Sequence, residues 1–136
     1  MDMVLDLSDT AEEPERELLK PGLYNAEVRD VQYGRSRKGN PMLTWIFAAK
    51  DQNDNEQTLF YHTVLNDERG LGRVKKTIIR LLADDEEMDW AQFKPAELDW
   101  LQGRQCRLRV TIQNSEDYGK SNSVRDVLKA AEGFLN

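Results

Sequence analysis

The chain is poor in the residue types that most catalytic and metal sites require. It contains one cysteine, Cys106, and one histidine, His62, so no internal disulfide and no Cys–Cys or His–His ligand pair for a metal can form. Its apolar runs are only a few residues long, whereas a membrane-spanning helix needs about 20. The first residues, Met1 to Asp6, lack the basic region and apolar segment of a signal peptide. We therefore expect a chain without a membrane segment, metal or cofactor, and the single cysteine fits a reducing cytoplasm.

No group of residues has the spacing of a catalytic motif. Cys106 shares an alternating apolar pattern with Leu108 and Val110, which favours burial over reactivity. The segment 70–77 lacks the length and the glycine-lysine pair of a phosphate-binding loop. A nuclease would need several carboxylates around magnesium, but the acidic residues are concentrated in tails and turns. We therefore expect a protein that is not an enzyme.

The charges are unevenly distributed along the chain. The formal net charge is −6, yet residues 1–20 hold seven acids against two bases and residues 84–99 hold seven against one. The rest of the chain is therefore basic. Since a local field steers a ligand more than total charge does, the acidic balance does not exclude a nucleic-acid partner.

Apolar periodicity predicts five strands in a single domain. The apolar positions change from even numbers, ending at Val28, to odd numbers, starting at Val31, and this change predicts a β-bulge near Arg29 and Asp30. The strands are expected at Tyr24–Tyr33, Met42–Lys50, Gln57–Leu65, Cys106–Ile112 and Ser121–Leu128. A further short edge strand is predicted at Val4–Leu7. Residues 1–20 are expected to be an acidic, mobile segment before a domain over residues 21–136.

An amphipathic helix is predicted after the third strand. Its apolar stripe is expected to comprise Leu71, Val74, Ile78, Leu81 and Leu82, with Arg73, Lys76 and Arg80 on the opposite side. Two acidic connections or short helices should follow, at Asp84–Phe93 and Pro95–Gln102. We expect Trp90 and Trp100 to anchor this acidic segment.

The order of these elements predicts a mainly β fold, a five-stranded OB-fold barrel with a helical insertion between strands 3 and 4. A β-sandwich and an open α+β sheet remain alternatives. In an OB-fold, single strands lie over strands two and three, between the loop that joins strands one and two and the loop that joins strands four and five. The fold therefore predicts where a nucleic-acid site would lie.

Candidate binding residues occur at each of those places. The first loop carries Arg35, Arg37 and Lys38, and the second carries Tyr118 and Lys120; Arg107 and Arg109 should project outward from strand four. The strands offer Trp45, Phe60, Tyr61 and His62 for stacking on bases, although alternation alone does not determine which of them face outward. For His62, a packing or hydrogen-bonding role is the main alternative.

Several segments resemble a family of small proteins of tailed bacteriophages. They are Leu5–Asp9, Pro21–Val28, Ser36–Leu43, Phe60–His62, Gly70–Arg73 and Val124–Val127, so the resemblance covers nearly the whole chain. The family is described as single-stranded-DNA-binding proteins with an OB-fold. The resemblance implies a role in phage DNA replication or recombination in the cytoplasm of the infected bacterial host, with single-stranded DNA as the partner.

The sequence thus predicts a sequence-tolerant single-stranded-DNA-binding protein. The alternative is a protein-interaction module that contacts phage or host replication or recombination proteins through the acidic segment 84–99 with Trp90 and Trp100. Many bacterial single-strand binders carry an acidic C-terminal tail, whereas here the acidic tail is N-terminal. We hypothesise that residues 9–17 compete with nucleic acid for the basic loops.

Overall fold

The computed structural model describes residues 3–9, 18–117 and 119–131. Its strands and helix are β1 Gly22–Arg35, β2 Pro41–Lys50, β3 Glu56–Val64, α1 Glu68–Leu81, β4 Gln105–Ser115 and β5 Gly119–Lys129. Two one-turn 3-10 helices, Trp90–Gln92 and Asp99–Leu101, lie between α1 and β4. The protein is therefore mainly β, and all five predicted strands are confirmed. Their observed ends differ from the predicted ones by two residues or fewer, except at the C-terminal end of β4, where the difference is three residues.

The strands form one antiparallel sheet in the order β3-β2-β1-β4-β5. The long strand β1 pairs with β2 through its second half and with β4 through its first half. Its pairing with β2 shifts register between Val28 and Asp30, so the predicted bulge is confirmed. The edge strands β3 and β5 approach each other to within 8 Å between Cα atoms, yet no ladder joins them. The sheet is thus curled but not closed. It confirms the mainly β class and does not establish the predicted barrel.

The core fills the inner face of this curled sheet. On β2, Leu43, Trp45 and Phe47 point inward, and the rings of Trp45 and Phe47 are stacked with centroids 6.5 Å apart. The indole nitrogen of Trp45 donates a hydrogen bond to the Thr63 hydroxyl on β3 at 3.0 Å. Because this bond satisfies the only polar atom of the indole, the ring can be buried completely.

Helix α1 packs against β3, β4 and β5. It begins after Asp67, whose carboxylate accepts a hydrogen bond from the Gly70 amide at 2.7 Å, as an N-cap residue does. Its buried positions are Gly70, Val74, Thr77, Ile78 and Leu81. The prediction that Leu71 belongs to this stripe is wrong, since the side chain is 46% exposed. Gly70 faces the sheet in the first turn, and Leu71 falls at the margin of the buried face.

The N-terminal prediction needs two adjustments. Residues 3–9 form no strand and are exposed, so the predicted edge strand at Val4–Leu7 is wrong. Leu19 is only 4% exposed, and its backbone amide and carbonyl both hydrogen-bond the side-chain amide of Asn122 on β5. The packed part of the chain therefore includes Leu19, ahead of the expected start at residue 21. Residues 10–17, which hold four of the seven acids of the segment 1–20, lie outside the described residues.

The acidic connection is held to the sheet by leucines more than by tryptophans. Leu98 and Leu101 are fully buried, and Trp90 packs partly against the core beneath the Lys75 ammonium, which lies 5.1 Å from its ring centroid. The anchoring role predicted for Trp90 is confirmed. Trp100 is instead 42% exposed, with the Arg104 guanidinium 5.5 Å from its ring centroid.

Candidate functional site

A groove of about 520 Å³ runs between β3 and the hairpin that β4 and β5 form. Three aromatic rings and a set of uncharged polar side chains dominate its lining, and none of its residues is charged. They are Leu18, Gln57, Thr58, Leu59, Phe60, Tyr61, His62, Gln113, Ser121, Asn122, Ser123 and Val124. Rings offer faces for stacking, and amides and hydroxyls offer hydrogen bonds, so the lining suits flat heteroaromatic groups better than ions.

Phe60 and His62 lie on the outer face of β3. Phe60 is 55% exposed and pairs across the sheet with Ile46 of β2. His62 is exposed, and its Nδ1 lies 3.1 Å from the Thr44 hydroxyl, which orients the imidazole. The structure thus brings two of the predicted stacking residues to the surface on one face of one strand. The hydrogen-bonding role that the sequence left open for His62 is also present.

Trp45 does not belong to this surface. Its side chain has 0% exposure and is part of the core, on the face of β2 opposite to Thr44 and Ile46. A ring with no accessible face cannot stack on a base, so the expectation that Trp45 is a stacking platform is corrected. The hydrogen bond to Thr63 and the stacking against Phe47 give the physical reason for its burial.

Tyr61 lies at the junction between the groove and a second cavity. It is partly buried, packs against the core, and lines both. Burial raises the pKa of the Tyr61 phenol above its usual value of 10.0, and it outweighs the opposing effect of the nearby Arg73 charge. At neutral pH the phenol is therefore protonated and able to donate a hydrogen bond.

The second cavity, which we call the basic cleft, has a volume of about 320 Å³ between α1, β3, β4 and β5. Four cationic side chains and one carboxylate line it together with two hydroxyl groups. The lining residues are Tyr61, Arg73, Lys76, Thr77, Arg109, Arg125 and Asp126. Of the four cations of the cleft, the sequence predicts only Arg109 as a site residue. Arg73 and Lys76 were expected on the polar side of the helix, but only the packing of α1 beside β5 brings them to Arg109 and Arg125.

The predicted basic loop lies beyond the end of β3. Arg35, Arg37 and Lys38 are all exposed. The loop is closed by backbone hydrogen bonds from the Ser36 amide to the Asn40 carbonyl and from the Gly39 amide to the Ser36 carbonyl, and Arg35 donates a hydrogen bond to the Gly39 carbonyl at 2.9 Å. Gly39 has a φ of 83°, which favours glycine. The loop leads into Pro41, whose carbonyl accepts from the Leu65 amide, so these charges adjoin the end of the strand that carries Phe60 and His62.

The remaining predicted residues are distributed over β4 and the hairpin. Arg107 and Arg109 project from the outer face of β4, opposite to buried residues, as predicted. The Nε of Arg107 donates to the Lys129 carbonyl at 2.9 Å, and Arg107 lines neither the groove nor the basic cleft. Lys120 is exposed and precedes Ser121 of the groove. Tyr118 lies outside the described residues.

The single cysteine of the chain, Cys106, is buried. Burial raises the pKa of the Cys106 thiol to about 12, so the reactive thiolate is scarce at neutral pH. Within residues 3–9, 18–117 and 119–131, no three Asp, Glu, His or Cys side chains lie together in a way that could hold a metal ion. None of the helices in these ranges has the length and apolar character that a bilayer span requires.

Comparison with known families gives one match. A family model described as "Protein of unknown function (DUF669)" matches residues 6–83, which is more than half of the chain. The chain therefore belongs to this family. The matched region includes β3 and α1, which carry Phe60, His62 and Arg73, whereas β4 and β5 lie beyond it. No curated protein matches the chain significantly.

Proposed function

We propose that this protein binds single-stranded DNA without sequence preference and without catalysis, in phage DNA replication or recombination within the cytoplasm of an infected bacterial host. The resemblance to phage single-strand binders suggests the process and its location. The observation that carries the binding function is the groove beside β3, where Phe60 presents more than half of its surface. Stacking on such a ring tolerates any base because every base has a π face.

We propose further that the curled sheet is an OB-fold. The support is the sharing of β1 between β2 and β4, the approach of the edge strands, and the position of α1 beside the gap between them. An OB-fold barrel is often partly open, so the absence of a ladder between β3 and β5 is compatible with it. In this fold the groove and the basic loop occupy the region where single strands bind.

The charges near the groove support the same function. Binding a single strand requires cations that neutralise phosphates around the stacked bases. Arg37 and Lys38 supply exposed charge beyond the end of β3, and Lys120 supplies it on the hairpin side. The groove itself carries no charge. Bases and backbone would therefore meet chemically different parts of one surface.

The test is a fluorescence anisotropy titration of labelled oligo-thymidine at two salt concentrations. We expect Phe60→Ala to weaken binding by about 1–3 kcal/mol, which is roughly 5- to 150-fold, because one stacked base is lost. Trp100→Ala is the matched control, since it removes an exposed aromatic ring outside the groove. Failure of the wild-type chain to bind at low salt would overturn the proposed function.

The charge requirement is tested separately. Changing Arg37 and Lys38 together to alanine should lower the affinity and make it less dependent on salt, because fewer counterions are released. Arg35 is left in place because it hydrogen-bonds within the loop. Lys94→Ala, which removes an exposed charge of the acidic segment, should leave the titration unchanged.

A protein-interaction module remains the second candidate, and the exposure of Trp100 is the observation that favours it. Aromatic side chains are enriched at protein interfaces, and Trp100 is 42% exposed. Absence of oligonucleotide binding, together with co-purification of a partner that is lost in Trp100→Ala, would favour this candidate.

A further inference from the structure

The basic cleft concentrates positive charge in a protein whose net charge is −6. Arg73, Lys76, Arg109 and Arg125 converge on a volume of about 320 Å³, and Asp126 is the only acid in its lining. Four cations against one carboxylate leave an excess of positive charge in the cleft, and like charges in one cleft repel each other. The arrangement therefore favours a ligand that carries negative charge.

Internal pairing uses only part of this charge. Lys76 forms an ion pair with Asp126 at 3.2 Å, and the Nε of Arg125 donates to the Thr111 hydroxyl at 3.3 Å. No carboxylate of the described residues forms an ion pair with Arg73 or Arg109. Two guanidinium groups, one from α1 and one from β4, thus remain available to an external anion.

The donors in the cleft match the geometry of a phosphate group. A guanidinium presents N–H groups in a planar fork that can bind two oxygens of a phosphate at once. The protonated phenol of Tyr61, which also interacts with the Thr77 side chain, lies at the side of the cleft next to the groove. The set can therefore surround a tetrahedral oxyanion from three elements of the fold, α1, β3 and β4.

The position of the cleft relates it to the groove. Tyr61 lines both, and along β5 the groove residues 121–124 are followed directly by Arg125 and Asp126 of the cleft. A nucleotide has its charge on the phosphate and its π surface on the base, so adjoining charged and uncharged cavities suit its two parts.

We propose that the basic cleft binds a phosphate group through Arg73 and Arg109. We take the phosphate to belong to the backbone of a single strand whose bases lie in the groove, and this part of the inference rests on the proposed function. Free phosphate is the other source with the same chemistry, and the experiment distinguishes the two.

The first arm measures oligo-thymidine binding by Arg73→Gln and Arg109→Gln over a range of salt. Each variant should bind about tenfold more weakly than the wild type, since hydrogen bonds to a charged group are lost. The loss of one phosphate contact should reduce the slope of log K against log salt by about 0.7. Arg80→Gln is the matched control, because it removes the same charge from the last turn of α1, outside the cleft. Circular dichroism checks that all three variants are folded.

The second arm uses inorganic phosphate alone, followed by NMR of the backbone amides. Phosphate should shift the amides of Arg73, Thr77 and Arg109 in the wild type, and less so in Arg73→Gln. If the wild type binds no oligonucleotide but these shifts occur, the proposed function fails while the phosphate site stands, with free phosphate as its source. If oligonucleotides bind and both cleft variants behave like Arg80→Gln, the backbone as the source is overturned while the function stands. If phosphate also leaves the amides unshifted, the phosphate site itself is overturned.

Discussion

Gly70 fixes how closely α1 approaches β3, and the structure predicts a large effect of adding one methyl group there. A Cβ atom at position 70 would lie 1.7 Å from the Val64 carbonyl oxygen and 2.8 Å from the carbonyl carbon. Both atoms belong to the backbone, so no side-chain rotation can relieve the overlap. Helix and strand would have to separate by more than an ångström to bring the contact to 3.0 Å.

Gly72 on the same helix is the matched control, because a Cβ there meets no atom within 4 Å. Gly72→Ala should stabilise the protein by about 0.5–1 kcal/mol through helix propensity alone. Gly70→Ala gains the same contribution, but relief of overpacking typically costs about 1–3 kcal/mol, and a clash between backbone atoms belongs at the upper end. The two variants should therefore differ by about 3 kcal/mol in the free energy of unfolding.

Thermal unfolding followed by circular dichroism measures this difference. For a chain of this size, 1 kcal/mol corresponds to about 3–5 °C, so the midpoints of the two variants should lie roughly 10 °C apart. Urea unfolding gives the same comparison as a free energy. Equal stability of Gly70→Ala and Gly72→Ala would refute the close packing of α1 on β3. It would also contradict the position of Arg73 in the basic cleft, because that position depends on the close packing of α1.

Two further predictions concern acidic groups. Hydrogen bonds from Arg104 hold the pKa of Glu86 at about 2, below its usual 4.5, so this pair stabilises the fold fully above about pH 4.5 and loses its effect as the pH falls towards 2. Urea unfolding across that range should show a weaker acid dependence for Arg104→Gln, and an unchanged dependence would contradict the assignment. Deleting residues 1–17 should tighten oligonucleotide binding at low salt and leave it unaltered at high salt, because these residues hold seven acids and one base, a net charge of −6, and directly precede Leu18 at the groove. Unchanged affinity at low salt would count against competition by the acidic segment.

The sequence predicted the strands well because their signals are local. Side chains alternate along a strand with a period of two. This alternation identified β4 and sorted the residues of β2 onto its two faces from the sequence alone. The change of phase around Arg29 predicted the bulge for the same reason. The helix stripe was predicted less accurately, because Gly70 carries no apolar signal and yet is buried against the Val64 carbonyl of β3.

The candidate site was predicted only in part. Phe60 and His62 were correctly chosen as residues that could face outward, and Arg109 was correctly expected on the outer face of β4. The sequence did not distinguish Trp45 from Phe60 and His62, because alternation shows which residues share a face of a strand but not which face meets the core. Arg73 and Arg125 were missed as site residues, because they are far apart in the chain and neither belongs to a motif.

The amino-acid sequence by itself determined which residues form strands, where β1 bends, and that negative charge is concentrated in two segments. These properties depend on neighbours a few positions away, and a linear pattern records them directly. Only the tertiary structure decided that Trp45 is buried, that β3 and β5 leave a groove between them, and that four cations meet beside Tyr61. The physical reason is that these features arise where segments distant in the chain meet: β2 with β3 at Trp45, β3 with the β4–β5 hairpin at the groove, and α1 with β4 and β5 at the basic cleft. Such contacts leave no periodic trace in the chain.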